Sequence, residues 1–205
     1  LKLKASGFTE IVINIHHFGE QIIDFLKTNN DFGLTIHISD ERDRLLDTGG
    51  GIRKARLFFE NSGEPFLVHN VDILSDMNLK ELYDFHMQSG SVATLLASRR
   101  TTSRYLLFDT ERKLRGWINK DTGQVKPEGF HYDESLYREY VFSPAVFRLM
   151  EAPRWEGKFS IMDFYLATCG QTDYSGYLAE KLELIDIGKP ETLARAEEFV
   201  KKLTF

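Results

Sequence analysis

The chain is poor in the residues that commit proteins to several common classes. It has one cysteine, Cys169, so no internal disulfide framework can form, and that usage fits a reducing compartment such as the cytoplasm. Glycine and proline together make up about a tenth of the 205 residues, which excludes a collagen-like or low-complexity chain. No apolar run approaches the ~20 residues of a membrane-spanning helix. There is no excess of positive charge: the formal net charge is −5, so the global field favours neither nucleic acid nor an anionic membrane. Three motifs are missing as well, namely the G-x-S-x-G elbow, the Walker A loop and G-x-G-x-x-G. What remains is 42% hydrophobic and 13% aromatic, enough to bury a sizeable core in one domain over 1–205.

Periodicity organises that material. Leu1–Gly7 reads as the last turns of an amphipathic helix stopped by Gly7, so residues before Leu1 are expected. Ile11–Ile15, Leu34–Ile38, Phe66–Val68 and Val92–Ala97 read as strands. Helices are expected over Phe18–Thr28, after Gly49-Gly50-Gly51, and over Asn78–Gln88 with Asp76 as the cap. This alternation is the βαβ rhythm of a mostly parallel sheet with helices on both faces. It breaks after Arg99, where Tyr105–Phe108 and Leu114–Asn119 predict a hairpin added to the sheet. Helices over Pro144–Met150 and Ile161–Thr168, a strand over Leu182–Ile187 and a helix begun by Pro190 complete the chain. The aromatic stretch Trp155–Tyr165 suits either core or an interface, and oligomeric state stays open.

In open α/β sheets ligands bind beyond the carboxyl ends of the strands. Thr48-Gly49-Gly50 sits at a helix start, where glycines let a flat or anionic group approach N–H groups left unpaired; the plainer alternative is a tight turn capped by Asp47 or Thr48. Asp72 follows the strand 66–68, where it could hold a divalent cation or simply form a turn. Asp186 lies inside an apolar strand, where an unpaired carboxylate is costly. The two together make a plausible Mg²⁺ site that substrate phosphates would complete. Arg99, Arg100 and Arg104 form a basic cluster at a strand end, suited to a phosphate or to solvent. His16-His17 lack a third zinc ligand at suitable spacing. Cys169 reads as core.

These stretches together resemble the sugar-1-phosphate nucleotidyltransferases, most nearly the branch of N-acetylmuramate-1-phosphate uridylyltransferases and mannose-1-phosphate guanylyltransferase-like enzymes. The resemblance rests on F-T-E-I-V-I-N (8–14), G-E-Q-I (19–22), F-G-L (32–34), L-D-T-G-G-G-I-R-K-A (46–55), F-L-V-H-N-V-D (66–72), V-F-S-P-A-V-F (141–147) and I-D-I-G-K-P-E-T-L (185–193). It implies a three-layer α/β/α fold with a mostly parallel mixed sheet of the nucleotide-diphospho-sugar transferase type. It implies nucleotidyl transfer from a nucleoside triphosphate to a sugar 1-phosphate with release of pyrophosphate, in the cytoplasm. Thr48, Gly49, Gly50 and Asn70 would meet the nucleotide, Asp72 and Asp186 would hold Mg²⁺, and Arg104, Asn119 and Lys120 would lie on the sugar-phosphate side.

Three departures accompany it. Val71 stands where the family usually has Gly. Tyr137-Arg138-Glu139-Tyr140 replaces a Phe-Ser-Gly-Ile-like segment, which points to an omitted stretch near 140–141. The glycine-rich phosphate loop that in the family precedes the first helix is not in the sequence, and without it little turnover is expected. A non-catalytic nucleotide-sugar-binding or regulatory subunit of the same fold is the alternative. A glycosyltransferase of related fold would be expected to carry D-x-D, which neither Asp40–Asp43 nor Asp72 with Asp76 provides.

Overall fold

A computed structural model describes residues 1–98, 103–126, 133–188 and 190–203. The chain divides into two compact units, 1–64 with 144–168 and 65–143 with 169–205. The chain passes between them three times, so neither unit is a continuous piece of sequence.

The first unit opens with α1 (Lys2–Ala5), closed as expected by Gly7, whose φ of +91° suits glycine. β1 (Glu10–Ile15) and β2 (Thr35–Asp40) pair in parallel from Glu10↔Thr35 to Ile15↔Asp40. The connecting helix α2 (Gly19–Thr28) buries Leu26 but leaves Phe25 exposed, so its expected apolar stripe is only partly covered. α3 (Asp47–Lys54) begins two residues before the glycines and continues across Ala55 into α4 (Arg56–Phe59). Ile52 and Ala55 are buried, as their spacing predicts.

The second unit carries most of the strands. β3 (Phe66–Val68) and β4 (Ile73–Ser75) lead to α5 (Leu79–Ser89). Asn78 caps α5, its side chain accepting from the Glu81 N–H at 3.2 Å, and Gly90 ends it at φ +63°. This corrects the expectation for Asp76, whose Oδ1 instead accepts the Glu183 N–H at 2.9 Å. β5 (Ala93–Ser98), β6 (Arg104–Phe108), β7 (Leu114–Asn119), β8 (Gln124–Lys126) and β9 (Asp133–Phe142) follow. The expected hairpin is β6–β7. β9 lies between β5 and β6 and also pairs with β3, all antiparallel. It runs unbroken through 140–141, with Tyr140 and Val141 on consecutive partners Leu95 and Thr94.

The chain then returns to the first unit through α6 (Val146–Leu149) and α7 (Ile161–Thr168). The aromatic stretch between them is core: Trp155, Phe159, Phe164 and Tyr165 are buried, and the Trp155 ring lies 5.1 Å from Phe159 and 5.2 Å from Phe164. The second unit finishes with β10 (Tyr174–Ala179), parallel to β5, then β11 (Leu184–Asp186), antiparallel to β4. α8 (Leu193–Lys202) follows a 3₁₀ turn at Pro190–Thr192 and packs Ala196 and Phe199 on Ile185. Sheets and helices are thus mixed α/β, with a larger antiparallel share than the βαβ rhythm suggests. The reason is β9, a strand with charged residues in its interior that periodicity did not mark. β10 was also unmarked, because Gly176 interrupts its pattern; a Cβ there would lie 2.8 Å from the Phe108 ring, so only glycine lets that ring pack down.

Candidate active site

In the second unit the two aspartates singled out by the sequence come together. Asp186 ends β11 opposite Ile73, and the ladder extends one step further, where the Ile187 N–H donates to the Asp72 carbonyl at 2.8 Å. Asp72 is exposed and Asp186 half-buried. A Cβ placed on Gly188 would lie 3.2 Å from Asp186 Oδ1 and 3.6 Å from Asp72 Oδ2, so both carboxylates border one spot. Gly188 also fixes the Asp186 rotamer, its N–H donating to Oδ1 at 3.0 Å, while Thr192 Oγ1 donates to the Asp186 carbonyl at 2.6 Å. The donor set is oxygen only. Two carboxylates with room for substrate oxygens suit Mg²⁺, which keeps most of its shell for water and phosphate. Among the described residues no three His, Cys, Asp or Glu side chains form a closed metal cage.

Asn70 shapes the turn before Asp72: its carbonyl accepts the Ile73 N–H at 3.2 Å and His69 Nδ1 at 2.8 Å. Val71 is 88% exposed and its φ lies outside the left-handed region, so valine fits where the resemblance expects glycine. At one end of the β6–β7 hairpin Arg104 pairs with Asn119 in register, and the Lys120 N–H donates to the Ser103 carbonyl at 2.7 Å. Lys120 Nζ sits 4.8 Å above the Tyr105 ring. Asn119 Oδ1 accepts the Asp121 N–H at 3.0 Å, a turn-forming use. The structure therefore brings Arg104, Asn119 and Lys120 together; Arg99 and Arg100 lie outside the described residues.

The glycine segment, in the first unit, differs from expectation in two ways. Leu46 is the cap residue of α3 and makes no side-chain cap bond, while Asp47 sits at φ +62° with its Oδ1 accepting the Thr48 N–H at 2.6 Å. The N–H groups of Gly49 and Gly50 are not left unpaired for a ligand: both donate to the Phe159 carbonyl, at 3.1 and 3.3 Å, and the Phe159 N–H returns to the Leu46 carbonyl. Close approach explains the three glycines. A Cβ would fall 2.4 Å from the Phe159 ring at position 49, 2.4 Å from the Gly157 carbonyl oxygen at 50, and 2.8 Å from both Asn14 Nδ2 and Glu41 Oε1 at 51. Thr48 is half-buried, and its hydroxyl makes no hydrogen bond among the described residues.

Glu41 supports this arrangement and was not singled out from the sequence. It is 4% exposed, yet its carboxylate accepts from Asn14 Nδ2 at 2.5 Å and from the Leu46 N–H at 3.1 Å. The signal was a charged residue immediately after an apolar strand, a place where burial demands partners. Next to it, Arg42 holds the Asp40 carboxyl down to about 2 through direct hydrogen bonds. His16 is spent on the Glu41 carbonyl, with Nδ1 at 2.6 Å, so it is structural. Cys169 is buried as expected, just past the end of α7, and burial pushes its thiol pKa up.

Known proteins place these features in a family. A probable mannose-1-phosphate guanylyltransferase of Oryza sativa subsp. japonica is 38% identical over 152 residues, covering 73% of this chain and 41% of that protein. A mannose-1-phosphate guanyltransferase of Candida albicans is 29% identical over 151 residues, covering 73% of this chain and 41% of its own length. The chain thus spans less than half the length of these relatives. Among solved structures, a putative glucose-1-phosphate thymidylyltransferase from Bacillus anthracis superposes with a TM-score of 0.78 at 16% identity, covering 100% of this chain and 81% of that one. HddC from Yersinia pseudotuberculosis gives 0.75 at 21% identity, covering 97% and 82%. These likenesses establish the nucleotide-diphospho-sugar transferase fold. The nucleotidyl transferase family matches residues 1–202, so the chain belongs to that family.

Proposed function

We propose that the protein transfers a nucleotidyl group from a nucleoside triphosphate to a sugar 1-phosphate, releasing pyrophosphate and forming a nucleotide sugar in the cytoplasm. Family membership supports the reaction class. The convergence of Asp72 and Asp186 on Gly188 is the observation that carries the reading.

The attacking oxygen belongs to a phosphate already ionised at neutral pH, so no general base is required. The difficulty is electrostatic: two polyanions must meet on a protein of net charge −5. In this reading Asp72 and Asp186 hold Mg²⁺, which when bound neutralises phosphate charge and favours in-line displacement. Thr48, Gly49, Gly50 and Asn70 bind the nucleotide. Because the Gly49 and Gly50 N–H groups serve Phe159 and their side-chain space is filled by Phe159 and Gly157, contact there falls to the Thr48 hydroxyl, which the two glycines position. Arg104 and Lys120 counter charge on the sugar phosphate, and Asn119 shapes the turn that presents them.

The test is pyrophosphate release from pairs of nucleoside triphosphate and sugar 1-phosphate by the complete protein, phosphate loop included. Asp72→Asn and Asp186→Asn are each expected to lower turnover at least about 10²-fold, the scale for losing one electrostatic element of a phosphoryl site. Their thermal unfolding should stay close to that of the parent. Parental turnover in either variant would remove the metal assignment. Binding of a nucleotide sugar with no pyrophosphate release from any pair would favour a non-catalytic binding subunit.

A further inference from the structure

One face of the glycine helix borders a cavity. Positions 46, 50, 53, 54 and 57 recur at spacings of three and four, so they share one face of α3 and its continuation α4. That face differs from the one where Gly51 meets Asn14 and Glu41, and from the one where Ile52 and Ala55 enter the core. Leu46 and Leu57, the backbone of Gly50 and Gly157, and the cations Arg53, Lys54 and Arg56 line a cavity of about 380 Å³. That volume falls in the range of small-ligand pockets, roughly 300–1,000 Å³.

The cations are not equally committed. Arg56 pairs with Glu60 and, at 3.1 Å, with Glu151, while Lys54 Nζ donates to the Asp40 carbonyl. Arg53 is half-buried, and its guanidinium has neither hydrogen bond nor ion pair among the described residues. The Arg44 guanidinium reaches 3.3 Å from where a Cβ of Gly157 would stand and is likewise without an acceptor among the described residues. In a chain of net charge −5, three cations on the lining of one cavity, with the Arg53 guanidinium unanswered among the described residues, make a locally positive surface. Guanidinium is the side chain best matched to phosphate oxygens, and a half-buried one gains most from such a partner. The leucines answer a different need. Leu57 is 78% exposed, an apolar wall with nothing on it.

We propose that this cavity binds a phosphorylated small molecule with an apolar or planar body, of the nucleoside diphosphate class, with the phosphates on Arg53 and the body against Leu46 and Leu57. The site is distinct from Asp72 and Asp186 and needs no metal ion. Adenosine diphosphate and inorganic pyrophosphate are the probes, titrated calorimetrically in EDTA into the full chain carrying Asp72→Asn. Adenosine diphosphate should bind there more tightly than pyrophosphate. Arg53→Ala should weaken both at least about tenfold, the scale of a lost charge-assisted hydrogen bond, and Arg53→Lys should restore part of the loss. Leu57→Ser, at an exposed position that folding tolerates, should weaken adenosine diphosphate and leave pyrophosphate unchanged. Equal affinity in Arg53→Ala and its parent overturns the proposal. So does binding that vanishes in EDTA or in Asp72→Asn, since the ligand would then belong to the metal site. Retained turnover with no binding at Arg53 would overturn this site alone and leave the transfer reaction standing.

Discussion

At the scale of single residues, Gly50 sets two opposing effects against each other. Glycine inside a helix costs about 1 kcal/mol relative to alanine, so on propensity alone Gly50→Ala should stabilise α3. The added methyl would, however, stand 2.4 Å from a backbone oxygen, Gly157 O, which cannot swing aside as a side chain could. Overpacking of this kind costs about 1–3 kcal/mol, so the expected result is a net loss, read as a lower urea midpoint. A raised midpoint would show that the 157–159 segment does not press on the helix. Glu41→Ala should also destabilise, by about 1–2 kcal/mol, because a buried carboxylate that holds Asn14 Nδ2 and the Leu46 N–H is lost, while both donors can still reach water. The glycine triplet was legible as special in the sequence. Its cause was not, because Phe159 and Gly157 lie about a hundred residues further along and no local pattern connects them.

At the scale of elements, α5 carries a measurable pH dependence. His86 is 3% exposed, its Nδ1 2.9 Å from Thr94 Oγ1, and burial pushes its pKa down to about 4. The unfolded chain, with an ordinary value near 6.5, takes up this proton first as pH falls. Below about 6.5 the unfolded state therefore binds more protons, and stability is progressively lost toward pH 4, by an amount on the order of 2–3 kcal/mol. His86→Gln should flatten that part of the stability profile, measured by urea unfolding at pH 7 and pH 5. An equal slope in both proteins would assign the dependence to other groups. Removing the cap at the other end of the helix, Asn78→Ala, should lower stability by about 1 kcal/mol at either pH.

At the scale of the whole molecule, the interleaving of the two units governs what can fold. α3 in residues 1–64 closes on Phe159 and packs against α7, both supplied from 144–168. A fragment ending at Glu64 loses the Phe159 carbonyl and the Trp155–Phe159–Phe164 cluster together. It should lack a cooperative thermal transition in circular dichroism, whereas the full chain should show one. A cooperative fragment would mean that β1, β2 and α2 suffice for a core, although among them only Ile15 and Leu26 are buried hydrophobic residues. The same scale bears on solubility, because a net charge of −5 with a pI near 5.7 places the least soluble range just below neutral pH.

The sequence by itself determined the ingredients whose signals are local. Apolar runs placed β1, β3 and β5, alternation placed β2, two short strand segments in a polar stretch placed the β6–β7 hairpin, and Gly7 and Gly90 ended helices where left-handed backbone is needed. The order of its motifs also carried the family and the choice of Asp72 and Asp186. Only the tertiary structure decided that these two carboxylates, more than a hundred residues apart, border one glycine, because that contact depends on β4 and β11 pairing in one register. It also decided that β9, polar by composition, becomes a central strand, since its neighbours β5 and β6 supply the hydrogen bonds its own pattern does not advertise. Periodicity encodes which face of an element is apolar; which distant backbone will cover it is a long-range choice made only when the chain closes on itself.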